Sequence, residues 1–248
     1  MKHKIYIVGM GPGKEEMMTE SAIRALEESD VIIGYPVYLS LLGERFADKE
    51  KLSTPMKQEV ERCRMCFTEA EKSKTVSMIC SGDAGIYGMA SLLYSMAEQH
   101  PDCELEVIPG ITAASSGAAV LGAPLNHDFC VISLSDLLTP WKVIEKRLKA
   151  AAYGDFAIAI YNPSSHKRHD YLKKACDILM ENGVEKTRAC GYVENIGRDG
   201  CRYETCDIET LRDREVNMFT TVFIGNSSSY IWNNKLITKR GYEKKMER

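Results

Sequence analysis

Residues 80–88 read Cys-Ser-Gly-Asp-Ala-Gly-Ile-Tyr-Gly, and the predicted fold is arranged around them. It follows an apolar run of strand character at residues 75–79 and leads into a helical pattern at residues 89–96. A strand that turns into a helix through glycines lets a small ligand approach the backbone, because glycine has no Cβ and tolerates positive φ. The alternative is a tight turn in which Asp83 only caps the helix. Similar glycine- and proline-containing loops at residues 9–13 and 109–114 favour a binding site.

Strand and helix alternate on both sides of this stretch. Strands are predicted at residues 5–8 and 31–33, and the helix between them has Thr19 as its N-cap and ends near Ser29. A strand at residues 105–108 and a helix of small residues at 114–121 follow. This order is typical of an α/β fold with a mostly parallel sheet and helices on both faces.

One further helix is predicted to begin at Thr54 and Pro55, since proline is favoured at the first helical position. Its apolar residues recur at spacings of four, three, four and three, which indicates one buried face: Met56, Val60, Cys63, Phe67 and Ala70. Cys63 and Cys66 form a C-x-x-C pair on this helix. Core packing is favoured over a zinc site here, because neither a second pair nor a histidine lies nearby.

Residues 122–126, Gly-Ala-Pro-Leu-Asn, interrupt the alternation and divide the chain into two predicted α/β domains, 1–122 and 127–248. The second half predicts strands at residues 129–134, 156–161, 188–193 and 219–224. Its helices begin at Pro140 and near Arg168, and the second of them ends at Gly183. Residues 202–208 are a candidate for one more strand, with antiparallel pairing.

Composition excludes several classes of protein. The chain has 248 residues, of which 44% are hydrophobic and 27% charged, as in ordinary globular proteins. Its net charge of −3 and dispersed basic residues give no reason to expect a nucleic-acid partner. No apolar run reaches the roughly 18 residues of a membrane span, and Gly-Pro-Gly interrupts the first one before a signal-peptide core forms. We therefore expect a cytoplasmic protein with reduced cysteines.

The loop at residues 9–13 does not fit the common nucleotide-binding motifs. It reads Gly-Met-Gly-Pro-Gly, and Pro12 removes a backbone N–H that a pyrophosphate would need. The acidic residue of a dinucleotide site is missing, because the second strand ends in Gly34 and Tyr35. A P-loop is excluded because Glu15 stands where Ser or Thr is required. These loops suit a ligand that is not a polyphosphate.

Three ordered motifs carry a resemblance to a known family: Gly11-Pro12-Gly13, residues 81–88, and residues 109–114 with the sequence Pro-Gly-Ile-Thr-Ala-Ala. Over nearly the whole chain they resemble the S-adenosylmethionine-dependent tetrapyrrole methyltransferases of corrin and sirohaem synthesis. Further stretches resemble the precorrin-3B C(17)-methyltransferase branch: residues 133–141, 161–163, 220–225 and 238–242. That branch methylates ring D and contracts the macrocycle, on a metal-free or cobalt-bearing intermediate.

The resemblance implies two α/β domains that bind S-adenosylmethionine in a cleft between them, usually within a homodimer. No protein-bound metal is expected. The cofactor contacts of the family carry over onto eight residues: Pro12, Ser81, Gly82, Asp83, Ile86, Thr112, Ala113 and Asn162. Relatives often have Met at the position of Asn162 and Pro at that of Ala84, so the sequence departs from the pattern at both.

Methyl transfer from a sulfonium needs in-line approach of a carbon nucleophile, so catalysis depends chiefly on positioning. Ring contraction also needs proton transfer, and the acid/base candidates beside the predicted domain junction are His127, Asp128 and Asp136. Each has a structural alternative: Asp128 ends the linker, for example, and Asp136 caps a turn. The carboxylates of a tetrapyrrole call for cations, for which the candidates are Lys167, Arg168, Arg198 and Lys239. Solvated surface charge is the alternative for each cation.

Three alternative functions stay open. The same fold serves other methylases of the corrin series, which act at a different ring carbon, and the related diphthine synthase, whose substrate is a protein. A nucleotide-binding regulatory module without chemistry is the alternative from a different class.

Overall fold

The computed structural model describes residues 2–165, 168–242 and 245. The chain divides into two compact units, Met1–Ala113 and Ala114–Arg248, and each is described by itself. Lys167, one of the candidate cations, lies outside the described residues.

The first unit contains a five-stranded parallel sheet with the order β3-β2-β4-β1-β5. Its strands are β1 (His3–Gly9), β2 (Val31–Gly34), β3 (Glu50–Ser53), β4 (Val76–Cys80) and β5 (Cys103–Ile108). Its α-helices are α1 (Glu20–Glu28), α2 (Pro36–Leu39), α3 (Glu59–Ala70) and α4 (Ala90–Ala97), and short 3₁₀ helices cover Glu15–Met17 and Glu44–Phe46. One buried cluster includes residues of α3 and α4, and another includes residues of α1. The predicted parallel sheet is therefore confirmed.

Helix boundaries follow the local capping chemistry. The Thr19 hydroxyl accepts a hydrogen bond from the Ala22 N–H at 3.1 Å, so the predicted N-cap of α1 is confirmed. The predicted start of α3 at Thr54 and Pro55 is wrong, because Lys57 has a φ of 69° and an α-helix cannot pass through that conformation. The helix begins only at Glu59.

The predicted apolar face of α3 needs a matching correction. Met56 lies outside the helix, and Val60 is 46% exposed. The apolar residues that α3 buries are Cys63, Cys66, Phe67 and Ala70. Strand β3 was not predicted, since its sequence Glu-Lys-Leu-Ser is charged and it forms an edge of the sheet.

The second unit has a mixed five-stranded sheet with the order β10-β9-β11-β8-β7. The chain first forms α5 (Ala113–Leu121), β6 (Gly122–Ala123), β7 (Phe129–Ser133), α6 (Trp141–Tyr153), β8 (Ala157–Tyr161) and α7 (Tyr171–Glu181). There follow β9 (Ala189–Glu194), β10 (Arg202–Asp207), α8 (Ile208–Leu211), β11 (Thr220–Ile224), β12 (Ser229–Trp232) and β13 (Lys235–Thr238). Strands β7 and β8 are parallel, whereas the pairs β8–β11, β11–β9 and β9–β10 are antiparallel. The predicted antiparallel strand at residues 202–208 is thus confirmed.

A small third sheet, with the order β12-β13-β6, was not predicted. Strands β12 and β13 form a hairpin whose turn residues, Asn233 and Asn234, have φ values of 46° and 57°. Positive φ at both central residues is typical of tight hairpin turns, and asparagine adopts this conformation more readily than most residues.

The compact units divide after Ala113, the first residue of α5, which is earlier than the boundary predicted between domains 1–122 and 127–248. A Cβ added at Gly117 of α5 would lie 2.8 Å from the Phe223 ring, so the helix packs against β11. Residues 122–124 are held in the second unit as well. Gly122 and Ala123 pair with β13, and the Thr238 hydroxyl donates to the Pro124 carbonyl at 2.6 Å.

Candidate functional site

Three loops of the first unit meet where adjacent parallel strands end. We call residues 9–13, 81–88 and 109–113, which follow β1, β4 and β5, the loop cluster. The carboxyl ends of parallel strands are where open α/β sheets bind ligands. Gly11 and Gly82 exchange backbone hydrogen bonds of 3.0 and 2.8 Å, which join the first two loops directly.

Glycine is required where the loops touch. A Cβ added at Gly110 would lie 2.1 Å from the Gly82 carbonyl oxygen, and one added at Gly9 would lie 2.6 Å from the Gly110 nitrogen. Gly82 also has a φ of +69°, which side chains rarely adopt. The backbones of all three loops are therefore in contact with one another.

Asp83 fixes two of these loops together through its carboxylate. One oxygen, Oδ2, accepts from the Gly110 N–H at 3.0 Å, and Oδ1 accepts from the Gly85 N–H at 2.8 Å. The side chain therefore does not only cap a helix, as the alternative in the sequence analysis had it, but connects two loops. Asp83 is half-buried. Its carboxylate is also the source of negative charge in the loop cluster.

The loop cluster contains seven of the eight residues predicted to contact the cofactor: Pro12, Ser81, Gly82, Asp83, Ile86, Thr112 and Ala113. Pro12 and Gly82 are buried, whereas Ile86 is 39% exposed. The Cβ direction of Gly82 faces the Thr112 Cα at 3.6 Å and the Ala113 nitrogen at 3.7 Å.

The chemistry of the loop cluster fits S-adenosylmethionine. Its three loops contain no lysine or arginine, and Asp83 is their only carboxylate. Such a set of carbonyl oxygens, one carboxylate and small side chains attracts a cation and repels a polyphosphate. Cys80, at the end of β4, supplies no nucleophile, because burial raises the pKa of its thiol to about 11.

Asn162, the eighth predicted cofactor residue, belongs to the second unit. It follows β8 with a φ of 53°, and its side-chain nitrogen donates to the Ser133 hydroxyl at 2.9 Å. The neighbouring Tyr161 hydroxyl accepts from the Ala114 N–H at 2.6 Å, at the start of α5. These side chains lie at the carboxyl ends of the parallel strands β7 and β8.

Two of the predicted acid/base residues are adjacent and exposed. His127 and Asp128 precede β7, and the His127 Nδ1 lies 3.6 Å from the Asp128 carboxylate. The same Nδ1 accepts from the Asp128 backbone N–H at 2.9 Å.

Asp136 is held quite differently. The Tyr171 hydroxyl donates to its Oδ2 at 2.7 Å, and the Arg168 guanidinium donates to its Oδ1. These two hydrogen bonds, with the positive charge of Arg168, lower the pKa of Asp136 below its ordinary value. We call Asp136, Arg168 and Tyr171 the carboxylate clamp. Tyr171 was missed in the sequence, because no spacing rule connects residues so far apart.

The other candidate cations in the described part of the chain lie over aromatic rings. The Arg198 guanidinium carbon is 5.4 Å from the centre of the Phe219 ring, and the Lys239 ammonium is 5.2 Å from that of Tyr230. Both contacts are cation–π interactions. The candidate cations that the structure describes therefore have different surroundings, and Arg168 joins a carboxylate that is also predicted as functional.

Among the described residues, no group of three or more His, Cys, Asp or Glu side chains is placed to hold a metal ion. Cys63 and Cys66 are both buried in α3, and burial raises the pKa of Cys63 to about 12 and that of Cys66 well above its usual range. Within the described ranges, no helix has both the length and the apolar character of a membrane span.

Comparison with known proteins defines the class. Residues 4–212 match the family of tetrapyrrole (corrin/porphyrin) methylases, so the chain belongs to this family, as the motifs predicted. It is 43% identical over 240 residues to the probable cobalt-factor III C(17)-methyltransferase of Salmonella typhimurium, covering 95% of this chain and 98% of that protein.

Two further comparisons concern length and structure. The chain is 43% identical to the cobalt-factor III methyltransferase of Priestia megaterium, with 99% of this chain covered but only 46% of that protein, about half its length. It is similar to the crystal structure of the methyltransferase CobJ, with a TM-score of 0.87, 34% identity, and coverage of 95% of this chain and 99% of that one. A uroporphyrin-III C-methyltransferase from Thermus thermophilus, solved with S-adenosylhomocysteine, has the same fold at a TM-score of 0.69 and 22% identity, over 90% of this chain and 92% of that one.

Proposed function

We propose that this chain is an S-adenosylmethionine-dependent methyltransferase of corrin synthesis that methylates carbon 17 of the macrocycle. The cobalt-bearing substrate, cobalt-factor III, is favoured over metal-free precorrin-3B, because two relatives with 43% identity carry that name. The observation that carries the proposal is the loop cluster, whose backbone contacts and single carboxylate suit a small cationic ligand.

The proposed cofactor residues are those of the loop cluster together with Asn162. S-adenosylmethionine, when bound, supplies a methyl group from its positively charged sulfur. Gly82, Thr112 and Ala113 let the ligand approach the backbone, and Asp83 keeps the loops at a fixed separation. Since an enzyme that transfers a methyl group works chiefly by holding two reactants in line, rigid loops are the main requirement.

Proton transfer during ring contraction falls to His127 and Asp128 in this proposal. Both are exposed, so a bound substrate can reach them, and imidazole and carboxylate groups are common general acids and bases. Asp136 is a weaker candidate than the sequence indicated, because Tyr171 and Arg168 occupy both of its oxygens and stabilise the charged form. We assign it a positioning role toward Arg168.

The decisive experiment is incubation of the chain with S-adenosylmethionine and cobalt-factor III, followed by mass spectrometry and NMR of the product. We expect one added methyl group at carbon 17 and a contracted ring. Methylation at another carbon would assign the chain to a different methylase of the same series.

Calorimetry separates the methylase from a nucleotide-binding regulatory module. We expect S-adenosylhomocysteine to bind, and ATP and NAD not to bind. Binding of NAD without S-adenosylhomocysteine would overturn the proposal. Light scattering then tests the homodimer that the resemblance implies, and cell fractionation tests the cytoplasmic location.

A further inference from the structure

Arg62 is a buried cation that the cofactor site does not use. It lies in the first turn of α3, and only 5% of the residue is exposed. Its Nη2 donates to the carbonyl oxygens of Thr54 and Pro55, both at 3.1 Å, and its guanidinium carbon lies 5.8 Å from the centre of the Tyr35 ring. Sequence patterns did not single it out, although it precedes the buried Cys66 by one helical turn.

No carboxylate in the described part of the chain compensates this charge. The two acidic residues in the first turn of α3 are engaged elsewhere: Glu61 pairs with Arg64 at 3.4 Å, and Glu59 accepts from the Lys57 backbone N–H at 3.3 Å. The Nε of Arg62 is itself buried without a hydrogen-bond partner. A buried charge without a counter-ion is rare, because losing its hydration is costly.

The position of Arg62 relates it to the loop cluster. Tyr35 follows β2 and Thr54 follows β3, and both strands run parallel to β4 within the same sheet. Arg62 thus lies at the carboxyl edge of the sheet, the edge at which the loop cluster follows β4, β1 and β5. Ligands of open parallel sheets are bound along this edge.

Two donor atoms of the Arg62 guanidinium are arranged so that they could bind a carboxylate. Nε and Nη2 lie on one side of the group and donate in parallel, which matches the two oxygens of a carboxylate. Here Nε has no acceptor, and Nη2 donates only to the carbonyl oxygens of the buried Thr54 and the exposed Pro55, which precede α3. A carboxylate that replaced these carbonyls would satisfy Nε and neutralise the charge together.

We propose that Arg62 forms a carboxylate-binding subsite at the carboxyl ends of β2 and β3, which receives an acidic side chain of the tetrapyrrole. This inference rests on the proposed function for the identity of the ligand. The amino-acid carboxylate of the cofactor is the other source of the same chemistry. The side chain of the macrocycle is favoured, because the proposed cofactor loops follow β4, β1 and β5 rather than β2 and β3.

The test compares Arg62→Met and Arg62→Lys with the matched control Arg64→Met, which removes an exposed arginine from the same helix. The probes are uroporphyrin, an octacarboxylate, its neutral octa-amide, and S-adenosylhomocysteine. We expect Arg62→Met to weaken uroporphyrin binding at least tenfold and to leave S-adenosylhomocysteine binding within twofold. Arg62→Lys keeps the charge but not the paired donors, so it should restore only part of the affinity. The control should bind both probes as the native chain does.

Stability provides the second measurement. If the charge lacks a counter-ion in the ligand-free protein, Arg62→Met should have a melting temperature equal to or above that of the native chain. The inference would be overturned if the native chain and both Arg62 variants bound uroporphyrin equally and Arg62→Met melted at a lower temperature. Arg62 would then only stabilise the fold.

The remaining outcomes are also decisive. If Arg62→Met loses S-adenosylhomocysteine binding but keeps uroporphyrin binding, Arg62 binds the carboxylate of the cofactor. That result would overturn the proposal that it binds a side chain of the macrocycle. Equal binding of uroporphyrin and the octa-amide by the native chain would exclude carboxylate recognition. A native chain that binds S-adenosylhomocysteine but no porphyrin would overturn the proposed substrate together with the subsite. If Arg62→Met does not fold, two measurements still test the proposal: the uroporphyrin affinity of Arg62→Lys, and the difference between uroporphyrin and octa-amide binding by the native chain.

Discussion

The loop cluster of the first unit and the carboxylate clamp of the second both hold separate segments of the chain together through a carboxylate. They differ in whether main-chain groups or side chains contact that carboxylate. In the loop cluster, main-chain atoms of three loops touch each other, and a single carboxylate receives two backbone N–H groups. In the clamp, three side chains hold one another through hydrogen bonds and charge. Main-chain contacts tolerate almost no added volume, whereas a side-chain network can lose a member and relax. Substitutions should therefore be costlier in the first region.

The largest expected effect is that of Gly110→Ala. The new Cβ would lie 2.1 Å from the Gly82 carbonyl oxygen, so backbone must move against backbone. We expect a loss of about 3 kcal/mol in the free energy of unfolding, the upper end of overpacking costs, and no measurable binding of S-adenosylhomocysteine.

Denaturant unfolding and calorimetry measure the two effects. Gly183→Ala is the control, because a Cβ there meets nothing within 4 Å and only its φ of +97° is unfavourable. It should cost about 1 kcal/mol, the lower end of the cost of an unfavourable backbone conformation, and leave binding intact. A stable Gly110→Ala variant with native affinity would show that the loops are not in tight contact.

An intermediate effect is expected for Asp83→Ala, which leaves the N–H groups of Gly85 and Gly110 without their acceptor. We expect about 2 kcal/mol of destabilisation and at least a tenfold loss of S-adenosylhomocysteine affinity. Asp30→Ala is a matched control, since Asp30 also accepts from one backbone N–H, that of Thr75 at 2.8 Å, but outside the loop cluster. It should lose stability and keep its affinity. Equal affinities in both variants would remove Asp83 from the proposed site.

The smallest effect is expected for Asp136→Asn in the carboxylate clamp. The side chains of Asp136 and Arg168 are 29% and 19% exposed, so solvent screens part of their interaction, and we expect a loss of about 1 kcal/mol at neutral pH. Because the folded-state pKa of Asp136 is lowered, its contribution is present above the unfolded pKa of about 4 and disappears as the pH falls through the folded value.

Unfolding measured between neutral pH and pH 2 tests this directly. Asp136→Asn should show a weaker pH dependence below about pH 4 than the native chain, and the two stabilities should converge in acid. The pH profile of kcat should keep its shape if Asp136 positions Arg168, whereas loss of an ionisation from that profile would assign Asp136 a proton-transfer role.

The difference between main-chain and side-chain contacts also explains how much of each region could be predicted from the sequence. The loop cluster was predictable, because glycine and proline leave a local signature and parallel strands bring their carboxyl ends together. The clamp was only half predictable: Asp136 and Arg168 stood out as charged residues, but their pairing with Tyr171 depends on tertiary packing.

Two helical details show the same limit. Thr19 was recognised as a cap because its hydrogen bond is local, with a partner three residues away. The start of α3 was misplaced, because proline chemistry gave no sign of the positive φ at Lys57. Arg62 was missed because a charged residue on a helix is normally assigned to solvent, and only the packed structure shows it to be buried.

The pairing of β6 with β13 has a consequence for how the polypeptide acquires its shape during synthesis. Thr238 and Pro124, which this pairing brings together, are separated by 114 positions along the chain. All five strands of the first sheet precede residue 124 in the sequence, so that sheet can assemble while later parts of the chain are still being translated. Residues 122–124 gain these partners only after β13 has been synthesised, so this segment stays open to proteases until then.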